Sequence, residues 1–174
     1  MSGPVQIVVM GVAGTGKSTI GRQVADRLGL AFAEGDDFHP QANRDKMASG
    51  TPLTDEDRWP WLRSLRDAMT SSAAQGLSTV VACSALREVY RDVLRQSQGE
   101  VFFVHLVLPA AVNTDRLSVR SGHYMGAGML GSQLLALEPL SEREHGVEVA
   151  NLGGRAEVVN EVVRLLGLRF AQLS

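Results

Sequence analysis

Short apolar runs alternate with amphipathic stretches along the chain. Five of these runs are brief and rich in β-branched or aromatic residues, which is typical of strands. The third is apolar enough to be covered on both faces, as strands in a parallel sheet are. The predicted strands lie in "VQIVVM", at the start of "AFAEGDDFHP", and in "LSTVVACS", "VFFVHLVL" and "VEVANL".

The segments between the predicted strands have apolar residues at helical spacing. Gly29 and Gly50 are predicted to end the first two helices, and Thr54 with the three acidic residues after it predicts the start of the third. We predict helices over residues 18–28, 40–47, 54–76, 85–96, 109–120, 130–137 and 156–168. The apolar faces of the third and fourth helices comprise Trp61, Leu65 and Met69, and Leu86, Val89, Tyr90, Val93 and Leu94.

This alternation of strands and helices predicts an α/β fold with a central parallel five-stranded sheet covered by helices on both sides. At 174 residues the chain has the length of one ordinary domain, and we expect residues 1–174 to form a single one.

The composition restricts which binding partners and which cellular compartment we expect. The formal net charge of -2 gives no basic field for a nucleic acid. No apolar stretch is long enough to span a bilayer, and no export signal is evident. Cys83 is the single cysteine and cannot form an internal disulfide. We therefore expect a cytoplasmic protein that binds neither nucleic acid nor membrane.

The segment "GVAGTGKS" matches the phosphate-loop pattern G-x-x-x-x-G-K-[ST] at Gly11, Gly16, Lys17 and Ser18. Backbone amides of such a loop surround phosphate, the lysine contacts the β- and γ-oxygens, and the serine hydroxyl can ligate Mg²⁺. A guanine-reading N-K-x-D motif is absent, so ATP is favoured over GTP. The modest chain length favours a small kinase over a larger nucleotide-driven machine.

The acceptor of the phosphate is expected at the carboxyl ends of the neighbouring strands. Asp36 and Asp37, in the loop after the second strand, are both candidates to orient or deprotonate an acceptor hydroxyl. Arg58 suits a carboxylate, and Ser84 and Arg87 follow the third strand. The two tryptophans beside Arg58 and the thiol of Cys83 are expected to be core, and His105 and His145 to lie outside the site.

Further along the chain, Arg116 and Arg120 stand four residues apart before the glycine-punctuated segment "SGHYMGAGM". Arginines on a closing lid can stack on adenine and neutralise charge on the transferring phosphate. We therefore expect a small lid near residues 116–130.

Five segments together closely resemble the bacterial P-loop gluconokinases, which are relatives of shikimate and adenylate kinases. The segments are "GVAGTGKST", "GDDFHPQANRDKMASGTPLTDEDRWPWL", "CSALREVYRDVLR", "RSGHYM" and "SQLLALEPL". The resemblance implies a three-layer α/β/α P-loop kinase fold and ATP- and Mg²⁺-dependent phosphorylation of D-gluconate at its terminal hydroxyl. It also implies a homodimer, which the residues themselves do not indicate.

The resemblance assigns roles by position. Asp36 resembles the acceptor-side base or Mg²⁺-shell carboxylate, with Ser18 as the other metal ligand; Arg58 resembles the clamp on the acceptor carboxylate. Arg116 is expected to stack on adenine, and Arg120, with Lys17 and Asp36, to be catalytic. The nucleotide-binding set is Gly11, Val12, Ala13, Gly14, Thr15, Gly16, Lys17, Ser18, Thr19, Arg116 and Arg120. The acceptor-binding set is Asp36, His39, Lys46, Arg58, Ser84, Arg87, His123 and Gln133.

The chain departs from the family pattern after "LEPL". Where the family usually has an acidic strand followed by a proline, this sequence has "VEVANLGGRAE". Two alternatives remain beside gluconate phosphorylation: a kinase for another carboxylated acceptor such as shikimate, and a nucleotide-binding regulator without turnover. Against shikimate, "CSALR" replaces the glycine-rich turn typical of shikimate kinases.

Overall fold

A five-stranded parallel sheet forms the centre of the protein. The computed structural model describes residues 2–109, 112 and 127–174. All four strand pairings are parallel and the strand order is β2-β3-β1-β4-β5, which confirms the predicted sheet. The strands are β1 (Val5–Met10), β2 (Ala31–Glu34), β3 (Thr79–Ala82), β4 (Glu100–Val107) and β5 (Gly146–Ala150).

The helices begin and end largely where the sequence signals place them. Gly29 ends the first in a left-handed conformation, and Thr54 and Asp57 form a capping box at the start of the third. In the described ranges, none is long and apolar enough to cross a bilayer. The helices are α1 (Lys17–Leu28), α2 (Gln41–Ala48), α3 (Asp55–Ala74), α4 (Glu88–Leu94), α5 (Ala127–Ala136) and α6 (Arg155–Arg169).

Two helices start three residues away from the predicted position. α4 begins at Glu88 rather than Ala85, because Ala85 has a φ of 45°, which no right-handed helix accommodates. Leu86 therefore precedes the helix, and Val89, predicted on its apolar face, is 42% exposed. α5 begins at Ala127, three residues before the predicted start. The predicted helix 109–120 and lid 116–130 fall mostly outside the described residues.

The core occupies both faces of the sheet. Ile7 and Val9 of β1 pack in a cluster with α1 and α6, whereas Val8 and Met10 pack in a cluster with α3 and α4. All six residues of β1 are buried, as expected of a central parallel strand. The result is three layers, helices over sheet over helices. The parallel strands bring the segments after β1, β2 and β3 to one edge of the sheet, where ligands bind in such folds.

Candidate active site

The phosphate-loop segment Gly11–Ser18 connects β1 to α1 and includes the first two residues of that helix. Gly11, Gly14 and Gly16 have φ values of 144°, 83° and 90°, a region that L side chains rarely adopt. A Cβ on Gly11 would also lie only 2.6 Å from the carbonyl oxygen of Leu106. Both the conformation and the lack of space exclude side chains here, so the backbone amides are the groups the loop can present to an anion.

Hydrogen bonds fix the shape of this loop. Lys17 Nζ and Thr15 Oγ1 both donate to the carbonyl oxygen of Val12, at 3.1 and 2.8 Å. The amide of Ala13 donates to Gln133 Oε1 at 2.7 Å. Gln133 lies on α5 and is buried, so the predicted acceptor-side residue also supports the loop.

A carboxylate that the sequence reasoning missed lies beside Ser18. Glu34, the last residue of β2, accepts a hydrogen bond from the Ser18 hydroxyl. Burial raises the pKa of Glu34, and the Ser18 bond and the Lys17 charge oppose that shift. Because the hydroxyl donates its hydrogen to Glu34, the lone pairs of Ser18 Oγ remain available to a cation. The position of Glu34 at a strand's carboxyl end was the signal that could have identified it.

An open cleft adjoins the loop. Its wall contains five of the predicted acceptor-side residues: Asp36, His39, Arg58, Ser84 and Gln133. The carbonyl oxygen of Ser84 accepts a hydrogen bond from the amide of Gly11 at 3.3 Å. The cleft and the phosphate loop are therefore parts of one site. The remaining residues of the wall are Met47, Pro52, Leu53, Trp61, Leu86, Tyr90 and Ser132.

His39 is a buried, neutral member of this wall. Its ring stacks on Trp61 with centroids 4.0 Å apart, and Nδ1 lies 3.2 Å from Asn43 Nδ2. The amide nitrogen can only donate, so Nδ1 accepts and the ring proton belongs to Nε2. Burial lowers the pKa of His39 to about 4, although Asp36, 3.9 Å away, favours the charged form. His39 therefore offers a neutral hydrogen-bonding edge.

One of the two tryptophans expected in the core also borders the cleft. Trp61 is 3% exposed and packs in the cluster beneath α3, as predicted, yet it also lines the cleft. Its Nε1 donates to the carbonyl oxygen of Gly35 at 2.8 Å, which fixes the backbone next to Asp36. Cys83 is buried, and burial raises the pKa of its thiol to about 12, consistent with a core residue rather than a nucleophile.

Two guanidinium groups converge on Tyr90 of the cleft wall: Arg58 is itself part of the wall, whereas Arg87 lies outside it. Arg58 and Arg87 lie over the ring of Tyr90, at 5.3 and 5.6 Å from its centroid. Asp55 accepts from the Tyr90 hydroxyl at 2.5 Å and from Arg87 Nη1 at 3.1 Å. Arg58 Nη1 donates to the carbonyl oxygen of Leu53 at 2.6 Å, which orients its planar fork. This pair of cations can receive a carboxylate.

The other predicted residues are not part of this wall. Lys46 forms an ion pair with Asp57, 2.7 Å from Nζ to Oδ2, at the start of α3. This pairing and the Thr54 amide lower the pKa of Asp57 to about 2. Lys46 thus stabilises the capping box through its ion pair with Asp57. Arg116, Arg120 and His123 lie outside the described residues.

The two histidines excluded from the site lie near carboxylates elsewhere. His105 in β4 lies 3.9 Å from Glu148, and His145 lies 3.2 Å from Glu100. Both contacts are with strand residues rather than with the cleft.

Comparison with known proteins identifies the family. The shikimate kinase family model matches residues 13–146. A gluconokinase of Gluconobacter oxydans (strain 621H) is 42% identical over 158 residues, which cover 91% of this chain and 89% of that protein. The chain belongs to the gluconokinases, within the shikimate kinase family.

Solved structures agree with this assignment. A gluconokinase from Sinorhizobium meliloti 1021 superposes with a TM-score of 0.83 at 40% identity and covers 99% of both chains. An unliganded sugar kinase from Janibacter sp. HTCC2649 superposes with a TM-score of 0.91 at 46% identity, over 98% of this chain and 99% of that one. The three-layer P-loop kinase fold predicted from the sequence is therefore confirmed.

The segment that departs from the gluconokinase pattern nevertheless contacts the phosphate loop. Asn151, directly after β5, is buried and donates to the carbonyl oxygen of Thr15 at 2.6 Å. A Cβ on Gly16 would lie 2.6 Å from the same Asn151 nitrogen. The amide side chain at this position thus supports the loop from beneath, a role that the sequence reasoning did not assign.

Proposed function

We propose that the chain catalyses the ATP-dependent phosphorylation of D-gluconate at its terminal hydroxyl, which yields 6-phospho-D-gluconate. The observation that carries the proposal is that the cleft beside the phosphate loop is lined by the carboxylate of Asp36 and the guanidinium of Arg58. An alcohol acceptor needs a carboxylate near the transferred phosphoryl group, and an anionic acceptor needs a cation farther away. Relatives about 40% identical and named gluconokinase support gluconate as that acceptor.

The loop Gly11–Ser18 fits the phosphates of ATP. Its positive-φ glycines present amides where side chains find no space, and Lys17 lies within the loop. Bound ATP with Mg²⁺ supplies the phosphoryl group and a divalent charge on its oxygens. We assign the Mg²⁺ to Ser18 and Asp36, with Glu34 beside them, since this set offers only the oxygen donors that Mg²⁺ prefers.

The acceptor is held and aimed by the walls of the cleft. Arg58, with Arg87 beside it, binds the carboxylate of gluconate, and the hydroxyls face the polar edges of His39, Ser84 and Gln133. Asp36 orients the terminal hydroxyl and accepts its proton. Positioning and fixed charge perform the catalysis, and no covalent enzyme intermediate is required.

Several parts of the site remain predictions from the family resemblance. Arg116 would stack on adenine, Arg120 would contact the γ-phosphate, and His123 would face the sugar, all on a lid near residues 116–130. Lys46 would reach the acceptor only after leaving Asp57. A homodimer is likewise a prediction from the resemblance, whereas the single domain over 1–174 and the cytoplasmic location are predictions from length and composition.

The test is ADP release from Mg-ATP with gluconate, shikimate, glucose or no acceptor. We expect stimulation by gluconate alone, and its loss in Lys17→Ala with the fold retained. Shikimate is included because the matching family model bears its name. Stimulation by shikimate instead would overturn the acceptor. Saturable ATP binding without stimulated ADP release would favour a regulator.

A further inference from the structure

A buried arginine behind the cleft uses every hydrogen-bond donor it has. Arg91 on α4 is 0% exposed, and a guanidinium carries five N–H groups. Nε and Nη2 donate to the two carboxylate oxygens of Glu144. Nη1 donates to the carbonyl oxygens of Ala85 and Leu86 at 2.9 and 3.2 Å, and Nη2 also donates to that of Pro139 at 3.2 Å.

Two of those carbonyls belong to the strained turn of the cleft wall. Ala85 is the one non-glycine residue with positive φ among the residues that the structure describes. A left-handed conformation costs an alanine roughly 1–2 kcal/mol and persists only where its surroundings impose it. On either side of it, Ser84 and Leu86 line the cleft, and the Ser84 carbonyl accepts from the amide of Gly11 in the phosphate loop.

The other partners of Arg91 belong to the segment after α5. Glu144 accepts from the amide of Ser141 at 2.8 Å, and the amide of Glu138 donates to the carbonyl oxygen of Leu86 at 2.7 Å. The same α5 carries Ser132 and Gln133 of the cleft wall. Arg91 therefore connects the two segments that build this side of the cleft.

A gain in stability does not by itself explain why Arg91 and Glu144 form a buried ion pair. Taking two charges out of water costs about as much as their attraction returns, and buried ion pairs replaced by apolar side chains of similar volume often leave stability unchanged or higher. The donor geometry instead specifies one conformation of the turn.

We propose that Arg91 and Glu144 are positioning residues for gluconate: they hold the turn at Ala85 so that Ser84 lines the cleft and Arg87 lies beside Arg58. The kinetic readout of this inference rests on the proposed function, whereas its structural readout does not.

The test compares the double variant Arg91→Met/Glu144→Leu with the wild-type chain. We expect a folded protein with modestly lower thermal stability, since no unpaired charge is left buried but the carbonyls of Ala85 and Pro139 and the amide of Ser141 each lose a hydrogen-bond partner. The KM for gluconate rises about tenfold or more, because displaced contacts weaken steeply with distance, and the KM for ATP changes less. By NMR, the amides of Gly11 and Glu138 exchange hydrogen faster, because their acceptors on the turn have moved.

The matched control is Glu161→Gln/Arg164→Gln, which removes an exposed ion pair on α6 and leaves both KM values and both amides unchanged. A double variant with the wild-type gluconate KM and unchanged exchange at Gly11 and Glu138 overturns the proposal. If the double variant does not fold, Arg91→Lys is tested instead, because it keeps the charge but not the five donors. A wild-type gluconate KM and unchanged exchange at Gly11 and Glu138 in Arg91→Lys also overturn the proposal. A wild-type chain inactive on gluconate refutes the proposed function, and the exchange comparison still tests the positioning.

Discussion

Gly35 lies between two carboxylates of the site, and its replacement by alanine tests whether their placement matters. Gly35 is buried directly after Glu34 and before Asp36. A Cβ there would lie 2.4 Å from the carbonyl oxygen of Ala82 and 3.2 Å from Cys83 Cβ. Its φ lies outside the left-handed region, so the effect of Gly35→Ala is steric rather than torsional.

The magnitude follows from the distance. Ordinary contacts begin near 3.4 Å, so the backbone after β2 must move by about 1 Å from the end of β3, and both partners are core atoms with little freedom. Overpacking of this kind costs about 1–3 kcal/mol, which lowers Tm by roughly 2–12 °C in a chain of this size. A displacement of about 1 Å at reacting groups reduces turnover by about 100-fold.

The assay pairs thermal denaturation with steady-state ADP release. Gly131→Ala is the matched control, since a Cβ at this position on α5 meets nothing within 4 Å; it is expected to raise stability by about 0.5–1 kcal/mol and to leave kcat near its wild-type value. A folded Gly35→Ala with kcat within threefold of the wild type would show that Glu34 and Asp36 tolerate the displacement, contrary to this prediction.

The remaining predictions concern the walls of the cleft. Arg58→Ala should raise the KM for gluconate roughly tenfold to a hundredfold, because it removes a hydrogen bond to a charged group. Arg63→Ala, on the exposed face of α3, should leave that KM unchanged. Equal KM values in the two variants would show that Arg58 does not bind the carboxylate. Asp36→Asn should lower kcat by about 10²–10⁴-fold with little change in ATP affinity, and Asp37→Asn should not; lost ATP binding at a normal rate would contradict this role. His39 binds its proton less readily in the folded chain (pKa about 4) than in the unfolded chain (6.5), so stability should fall as pH drops from 6.5 towards 4. The fall should be shallower in His39→Gln, as measured by denaturant unfolding across that range, and identical slopes would show that another group is responsible.

Much of the fold and part of the site follow from local sequence signals. The three central strands, β1, β3 and β4, were predictable because short apolar runs buried on both faces are typical of a parallel sheet. The phosphate loop was predictable because its glycines meet a backbone requirement. Asp36 and Ser84 could be placed together without a structure, since both follow strands whose carboxyl ends share one edge of the sheet.

The errors and omissions arise where distant segments meet. Helical spacing continues through Leu86, yet α4 starts later because Arg91 and the phosphate loop fix the carbonyls of the turn at Ala85. Similarly, the ion pair of Lys46 with Asp57 joins two helices, and no periodicity in either reveals it. Contacts of this kind form only once the whole domain has folded.

Gluconate should receive its phosphate on the primary hydroxyl. The most direct measurement is proton-coupled ³¹P NMR of the product made from ATP and D-gluconate. We expect one new phosphomonoester signal, split into a triplet by the two protons of the terminal carbon. A doublet would place the phosphate on a secondary hydroxyl, and inorganic phosphate alone would show transfer to water; either result would contradict the account.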